Sequence, residues 1–332
     1  MPNRVTIADV ARLAGVSTMT VSRVINDKGD VRPSTRQRVA RAIAQLEYRP
    51  SQAARSLTTR RSHTIGLLVP DITNPFFPAI VRGAEDVAWR EGYAVSLTNT
   101  VEDVARELAA FEHFEAHRVD GLIACSARIP DAELAHLLRR HPACVLLNRA
   151  SPAEGLASSL EVDDAHGARQ AVGHLAAGGR RRIGLLAGPA RSTSSQRRRA
   201  GYRDGLEVAG LERTADLTED GEPSEEGGHD AMRALLERRP DLDAVFAYND
   251  VVALGALEAL AEAGRRVPED VALVGCDDVR LASLVTPTLT TLRIDLYQLG
   301  RQAAELLFER IRGVPARRIV VEPELVVRAS AP

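Results

Sequence analysis

Thr18, Met19, Ser22 and Arg23 share one face of a short helical pattern. Their groups are suited to the edges of base pairs. A guanidinium donates two hydrogen bonds to guanine, a hydroxyl donates or accepts, and methyl or thioether groups touch the thymine methyl. No comparable set suits catalysis. G-x-G-x-x-G, a P-loop lysine and G-x-S-x-G are all missing. His113 and His117 lie four apart on a helical pattern; two donors without a third make a poor metal site and read as surface histidines. The cysteines, Cys125, Cys144 and Cys276, are odd in number and far apart, which argues against a disulfide framework and for a reducing compartment. No catalytic residue, cofactor or metal is expected, and the chain is not expected to be an enzyme.

A reading face needs elements that hold it outward. Thr6 can cap a first helix, with Asp9 three residues on, and Ile7, Val10, Ala11 and Ala14 form its inner face. Gly15 supplies a turn and Val16 packs inward. Ser17 caps the second helix, whose inner stripe is Val21, Val24 and Ile25. Ser34 begins a third helix, with Val39, Ala42, Ile43 and Leu46 inside and its end near Tyr48. Two short helices joined at a glycine and braced by a third match the helix-turn-helix arrangement.

Charge supports that reading. Residues 1–61 hold 12 basic and 4 acidic side chains, a net +8, which leaves −10 for the remainder. A basic head on an acidic body points to a polyanion partner for the head. No apolar run reaches membrane-spanning length, and Met1–Thr6 leads straight into helix without a secretory signal. A cytoplasmic protein with no membrane partner is expected.

The segments VTIADVARLAGVS, TVSRVIN and YRPSQAARSL resemble the DNA-binding head of the lac-repressor (LacI/GalR) family of bacterial transcriptional regulators, and the likeness runs on through nearly the whole chain. The resemblance implies a helix-turn-helix domain over 1–50 and a hinge helix and linker over 51–61. It implies DNA contacts by Thr6, Ser17, Thr18, Met19, Thr20, Ser22, Arg23 and Asn26, with Ala54 and Leu57 of the hinge in the minor groove. The hinge, Ser51–Leu57, is too short to be stable alone. In the family it folds on DNA, and the leucine matching Leu57 wedges into the minor groove.

From Ser62 the texture changes to apolar strands alternating with amphipathic helices, the signature of parallel sheets covered on both faces. Strands are expected at 65–70, 93–97, 121–124, 144–147, 182–187, 244–248 and 271–276. Helices are expected at 75–91, 101–117, 131–140, 165–177, 196–209, 225–238, 251–263 and 296–312, and two terminal strands at 317–322 and 324–328. The resemblance implies an α/β core over 62–332, like a periplasmic binding protein, with two doubly wound parallel-sheet subdomains. One spans about 62–161 plus 292–321, the other about 162–291 plus 322–332, and ligand sits at the carboxyl ends of the strands between them.

On that resemblance the effector-contacting positions are Asn74, Phe76, Phe77, Asn148, Arg149, Ser194, Arg198, Asn249, Asp250 and Asp277. Phe76 and Phe77 equally fit core packing, and Asp277 a turn cap. Arg198 suits a forked grip on carboxylate or paired hydroxyls, while its neighbours Arg197 and Arg199 read as solvated charge. Pro223 stands where several relatives carry a clamping aromatic, and Cys276 where relatives often carry Tyr or Phe, so purine or lactose-type stacking is not carried over. The expected function is a repressor that binds a pseudo-palindromic operator as a homodimer under control of a small carbohydrate effector. No leucine heptad follows Val327, so a tetramer is not expected. A soluble sugar-binding protein without a DNA role would share the core, but the basic head and the missing signal disfavour it.

Overall fold

The computed structural model describes residues 5–25, 29, 31–48, 61–141 and 143–332. The expected contacts Asn26, Ala54 and Leu57 and the hinge segment 51–57 lie outside them. The chain divides into two units, Met1–Ser62 and His63–Pro332.

In the first unit, α1 (Ile7–Ala14), α2 (Thr18–Ile25) and α3 (Pro33–Gln45) are each too short for independent stability. They share one core, in which Val10, Val21 and Val39 are fully buried. Thr6 and Asp9 form a reciprocal capping box at the start of α1, and Gly15 ends it in the left-handed region at φ 62°, a turn that favours glycine. Ser17 Oγ accepts from Thr20 N at 3.2 Å and starts α2. The third helix begins at Pro33 rather than Ser34. Proline tolerates the first helical position because that N–H has no partner within the helix.

The second unit contains two six-stranded sheets. The first is built from β1 (Thr64–Val69), β2 (Ala94–Asn99), β3 (Gly121–Cys125), β4 (Cys144–Leu147), β5 (Ser158–Val162) and β11 (Arg318–Val321), in the order β11-β5-β4-β3-β1-β2. Every pairing in it is parallel. The second is built from β6 (Ile183–Ala187), β7 (Thr218–Asp220), β8 (Ala244–Ala247), β9 (Ala272–Asp277), β10 (Thr290–Arg293) and β12 (Glu324–Val326), in the order β12-β10-β9-β8-β6-β7. It departs from an all-parallel sheet in one place: β12 runs antiparallel to β10, with Leu292 opposite Leu325. The chain passes between sheets after Val162, after Arg293 and after Val321.

Helices cover both faces of each sheet: α4 (Phe76–Arg90), α5 (Val104–Ala116), α6 (Asp131–Arg140) and α11 (Leu296–Ile311) in the first half, and α7 (Asp164–Ala177), α8 (Thr193–Val208), α9 (Glu225–Arg238) and α10 (Asp250–Glu262) in the second. Double coverage explains why the central strands read as unbroken apolar runs; Ile65, Leu67 and Val69 face α4 and α11, and Leu68 faces Phe111 and Phe114 of α5. Helices α4 and α11 approach through paired glycines. A Cβ on Gly83 would lie 2.1 Å from Tyr297 O, and one on Gly300 2.0 Å from Ile80 O. Alanine at either position would force the helices apart.

Candidate functional site

On α2, Val21 is buried and Val24 and Ile25 pack beside it, so the opposite face turns outward. Thr18 and Arg23 are exposed, Met19 keeps 65% of its surface, and Thr20 and Ser22 are half-buried. Two of the expected contact residues also maintain the helices. The Thr6 hydroxyl donates to Asp9 Oδ2 at 2.7 Å, and Ser17 Oγ lies 3.0 Å from Thr20 Oγ1.

In the larger unit, one polar cavity lies where the carboxyl ends of the two sheets' strands meet. The first half contributes Asn74, Phe76 and Phe77 after β1, Glu102 after β2, Ser126 and Arg128 after β3, and Asn148 after β4. The second half contributes Ser194 and Arg198 after β6, Pro223 after β7, Tyr248 and Asn249 after β8, and Asp277 at the end of β9. Strand-end loops are where open α/β sheets place ligands.

Backbone geometry aims several of these side chains. Glu102 (φ 56°), Ser126 (φ 49°), Asn148 (φ 58°) and Asp277 (φ 116°) all sit in the left-handed region. Each such residue costs about 1–2 kcal/mol, and strain of this kind gathers at functional sites. Phe76 and Phe77 do two jobs. Their rings meet edge to face with centroids 5.0 Å apart; both belong to the first half's core and both border the cavity.

Arg198 is 5% exposed. Its Nε donates to Asp164 Oδ1 at 2.8 Å, and Nη1 donates to Tyr248 O. Asp277 Oδ1 lies 3.8 Å from Nη2, and the guanidinium carbon sits 4.9 Å from the Tyr248 ring centre. Burial works against the charge of Arg198, but the acids around it hold the proton on. Burial also pushes the carboxyls of Asp164 and Asp277 upward, Asp277 well above the ordinary carboxylate range, with Arg198 opposing the shift. Asn148 Oδ1 and Asp277 Oδ1 are buried and have no hydrogen-bond partner among the described residues. A buried acceptor left unmade costs about 1–3 kcal/mol. Both belong to residues that line the cavity, so a ligand with hydroxyl donors would satisfy them. Asn249 offers the complement: its Oδ1 accepts from Val252 N at 2.9 Å, capping α10, which leaves its amide hydrogens for a ligand oxygen.

Eight of the ten positions expected at the cleft border this cavity; Arg149 and Asp250 do not. Arg149 follows the left-handed turn at Asn148 and points elsewhere, donating to Ala127 O and to Asp131 Oδ1, both at 2.6 Å. Asp250 turns inward beneath the loop. Its Oδ1 accepts from Thr291 Oγ1 at 2.5 Å and its Oδ2 from Val279 N at 2.8 Å. Gly275 leaves the room for this, since a Cβ there would lie 2.3 Å from Asp250 Oδ1. Arg197 and Arg199 are not solvated charge: Arg197 pairs with the fully buried Glu161, and Arg199 with Asp220.

Glu102, Ser126, Arg128 and Tyr248 were not expected at the cavity. The signal was available for Ser126, Arg128 and Tyr248, which follow the apolar runs ending at Cys125 and Ala247; the strand-end rule applied to every strand would have named them.

Residues 6–51 match the family described as bacterial regulatory proteins, lacI family, and residues 172–331 match the periplasmic binding protein-like domain. The HTH-type transcriptional regulator GalR of Escherichia coli (strain K12) is 39% identical over 328 residues, covering 98% of this chain and 95% of that protein. A structure of the lac repressor dimer bound to operator and the anti-inducer ONPF superimposes with a TM-score of 0.89 at 30% identity, covering 99% of each chain. A complex of the transcriptional regulator CelR with cellobiose does so with a TM-score of 0.75 at 37% identity, covering 98% of this chain and 100% of that one. With a basic helix-turn-helix head, two strand-end loop sets around one polar cavity and these whole-length likenesses, the chain belongs to the lacI family of bacterial regulatory proteins.

Proposed function

We propose that this chain is a transcriptional repressor acting as a homodimer on a pseudo-palindromic operator, with its DNA affinity set by a small carbohydrate in the core cavity. The observation that carries the reading is chemical. Buried, unpartnered acceptors on Asn148 and Asp277 border one cavity, in a chain that also displays Thr18, Met19 and Arg23 on the exposed face of a capped helix.

Two heads would enter successive major grooves about one helical turn (~34 Å), or a multiple, apart. Thr18, Met19, Ser22 and Arg23 read base edges, Thr6, Ser17 and Thr20 hold the helices while facing the duplex, and Asn26 joins the DNA contacts by resemblance to the family head. Ala54 and Leu57, by their resemblance to the family hinge, enter the minor groove between the heads. In the cavity, ligand hydroxyls donate to Asn148 and Asp277 and accept from Asn249 and Arg198. Ser194 and Asn74 complete the polar lining, and Phe76 and Phe77 cover an apolar ring face. The dimer bound to operator in the lac repressor structure and the cellobiose bound to CelR support the two halves of this reading. The chain works by binding, not by a reaction, in the compartment that holds the chromosome.

Fluorescence anisotropy on a labelled fragment of the protein's own promoter tests the DNA half. Specific binding should weaken steeply as salt rises, because each neutralised phosphate releases counterion. Indifference to every duplex at low salt would refute it.

A further inference from the structure

Glu161 is the penultimate residue of β5, just before the chain leaves the first sheet. The strand is buried along its whole length, and Glu161 has none of its surface exposed. Leu160 and Val162 face the apolar core beneath α4 and α11, so Ser159 and Glu161 point to the other face of the sheet.

A buried carboxylate needs partners for both oxygens. Glu161 Oε1 accepts from Ser159 Oγ at 3.0 Å and from Arg318 Nε at 2.8 Å; Oε2 accepts from Arg318 Nη2 at 3.3 Å and from Arg197 Nη2. Burial pushes the carboxyl up, but the bonds from Arg318, Arg197 and Ser159 outweigh it and hold it below its ordinary value.

The two arginines come from different halves. Arg318 is on β11, the strand beside β5 in the first sheet. Arg197 is on α8 of the second half, next to Arg198 and three residues past Ser194, both of which line the cavity. The ion pairs Arg128–Glu102, Arg149–Asp131, Arg198–Asp164 and Arg293–Asp278 each stay within one half. Arg197–Glu161 crosses from one half to the other.

We propose that the Glu161–Arg197 pair is a latch that holds the two halves at the angle of this structure, and so sets effector affinity from outside the cavity. A ligand that bonds Asn148 of the first half and Asp277 of the second needs the halves together. Rotation about the connecting strands would part the pair, because a hydrogen bond is lost once stretched by about 1 Å. Parting strands no buried charge: Glu161 keeps Arg318 and Ser159, and Arg197, already 26% exposed, is hydrated. The latch can therefore open and reclose without unfolding either half.

Spin labels at Glu133→Cys and Arg191→Cys in the full-length protein report the angle. Both positions are exposed and border the same outer opening from opposite halves, and the native cysteines are buried. Without ligand, Arg197→Met should lengthen and broaden the inter-label distance measured by double electron–electron resonance. Arg318→Met, which removes a partner of the same carboxylate within one half, should leave the distance as in the wild type. Arg197→Gln carries the comparison if Arg197→Met does not fold. Affinity is read by calorimetry with whichever of D-ribose, D-glucose, D-galactose and cellobiose raises the melting temperature. It should fall at least about threefold in Arg197→Met, in proportion to the lost competent fraction, and stay within about twofold in Arg318→Met. A wild-type distance in Arg197→Met overturns the latch, and so does an equal change in Arg318→Met, which would mark a purely structural cluster. The affinity change rests on the carbohydrate reading above, whereas the distance needs no ligand; if no sugar binds, that reading fails and the distance still decides the latch.

Discussion

Arg198→Met should destabilise the core far more than the loss of one surface charge. The guanidinium is the counter-charge for Asp164 at 2.8 Å and for Asp277 at 3.8 Å, and those acids are 2% and 3% exposed. Removing one member of a buried ion pair costs about 3–5 kcal/mol, mostly because the other charge is stranded. In a core of this size that lowers the melting temperature by on the order of 10 °C. Met fills similar space, so little of the loss is cavity. The pH dependence carries a sign. Burial already raises both carboxyls, and without Arg198 they rise further. The folded state then binds more protons than the unfolded chain, and stability falls as pH rises through that window. The deficit should be smaller at pH 5 than at pH 8. Adding Asp164→Asn to Arg198→Met should recover at least half of the deficit, because the stranded charge is gone. Urea unfolding followed by circular dichroism at both pH values measures all of this. A single variant within about 1 kcal/mol of wild type, or a double variant no better than the single, would refute the buried-charge argument.

Three further outcomes follow from the same geometry. Ligand hydroxyls donating to Asp277 Oδ1 favour its charged form, so effector affinity should rise with pH as that carboxyl is titrated. Asp277→Asn should flatten this profile and weaken binding about tenfold at high pH, the difference between a charged and a neutral acceptor, as calorimetry would read. Burial raises Asp250 to about 7, so the wild-type core should lose stability as pH climbs from about 4 to 7, and Asp250→Asn should remove that part of the slope in denaturant titrations. Arg23→Ala should cost about 1–3 kcal/mol of operator affinity and relax preference at one base position if the contact is to guanine; a uniform loss across sequences, with a shallower salt slope, would reassign Arg23 to phosphate.

Some of this architecture is local, and the sequence displays it. Thr6 with Asp9, Gly15, and Ser17 with Thr20 act over three or four residues, so the caps and turn of the head are legible. Strands buried on both faces, such as Ile65–Val69 and Cys144–Leu147, appear as apolar runs, and their ends mark where the cavity forms. What was not legible depends on pairings far apart in the chain. Arg128 meets Glu102 across 26 residues, and Arg197 meets Glu161 across 36; neither pairing has a local signature, and the run from Arg197 to Arg199 resembles ordinary surface charge. The strand β7, Thr218–Asp220, has three polar residues at a sheet edge and no apolar pattern to betray it. Helix α8 begins at Thr193 rather than near Gln196, because Ser192 Oγ accepts from Ser195 N and turns a hydroxyl-rich loop into a first helical turn. Asp250 sits beside Asn249, which borders the cavity, but its own carboxylate bonds Thr291 and Val279 instead; at a helix start, one residue rotates a side chain from the cavity to the core.

The proposed function requires linkage between the cavity and the DNA-binding head. The most direct measurement is operator affinity by anisotropy, at fixed salt, with and without a saturating sugar that thermal shift has shown to bind the protein. Linkage predicts a change in dissociation constant of about 5–150-fold, with a reciprocal change in sugar affinity when operator is bound. Equal operator affinity with the cavity full and empty, under conditions where sugar binding is independently detected, would contradict it.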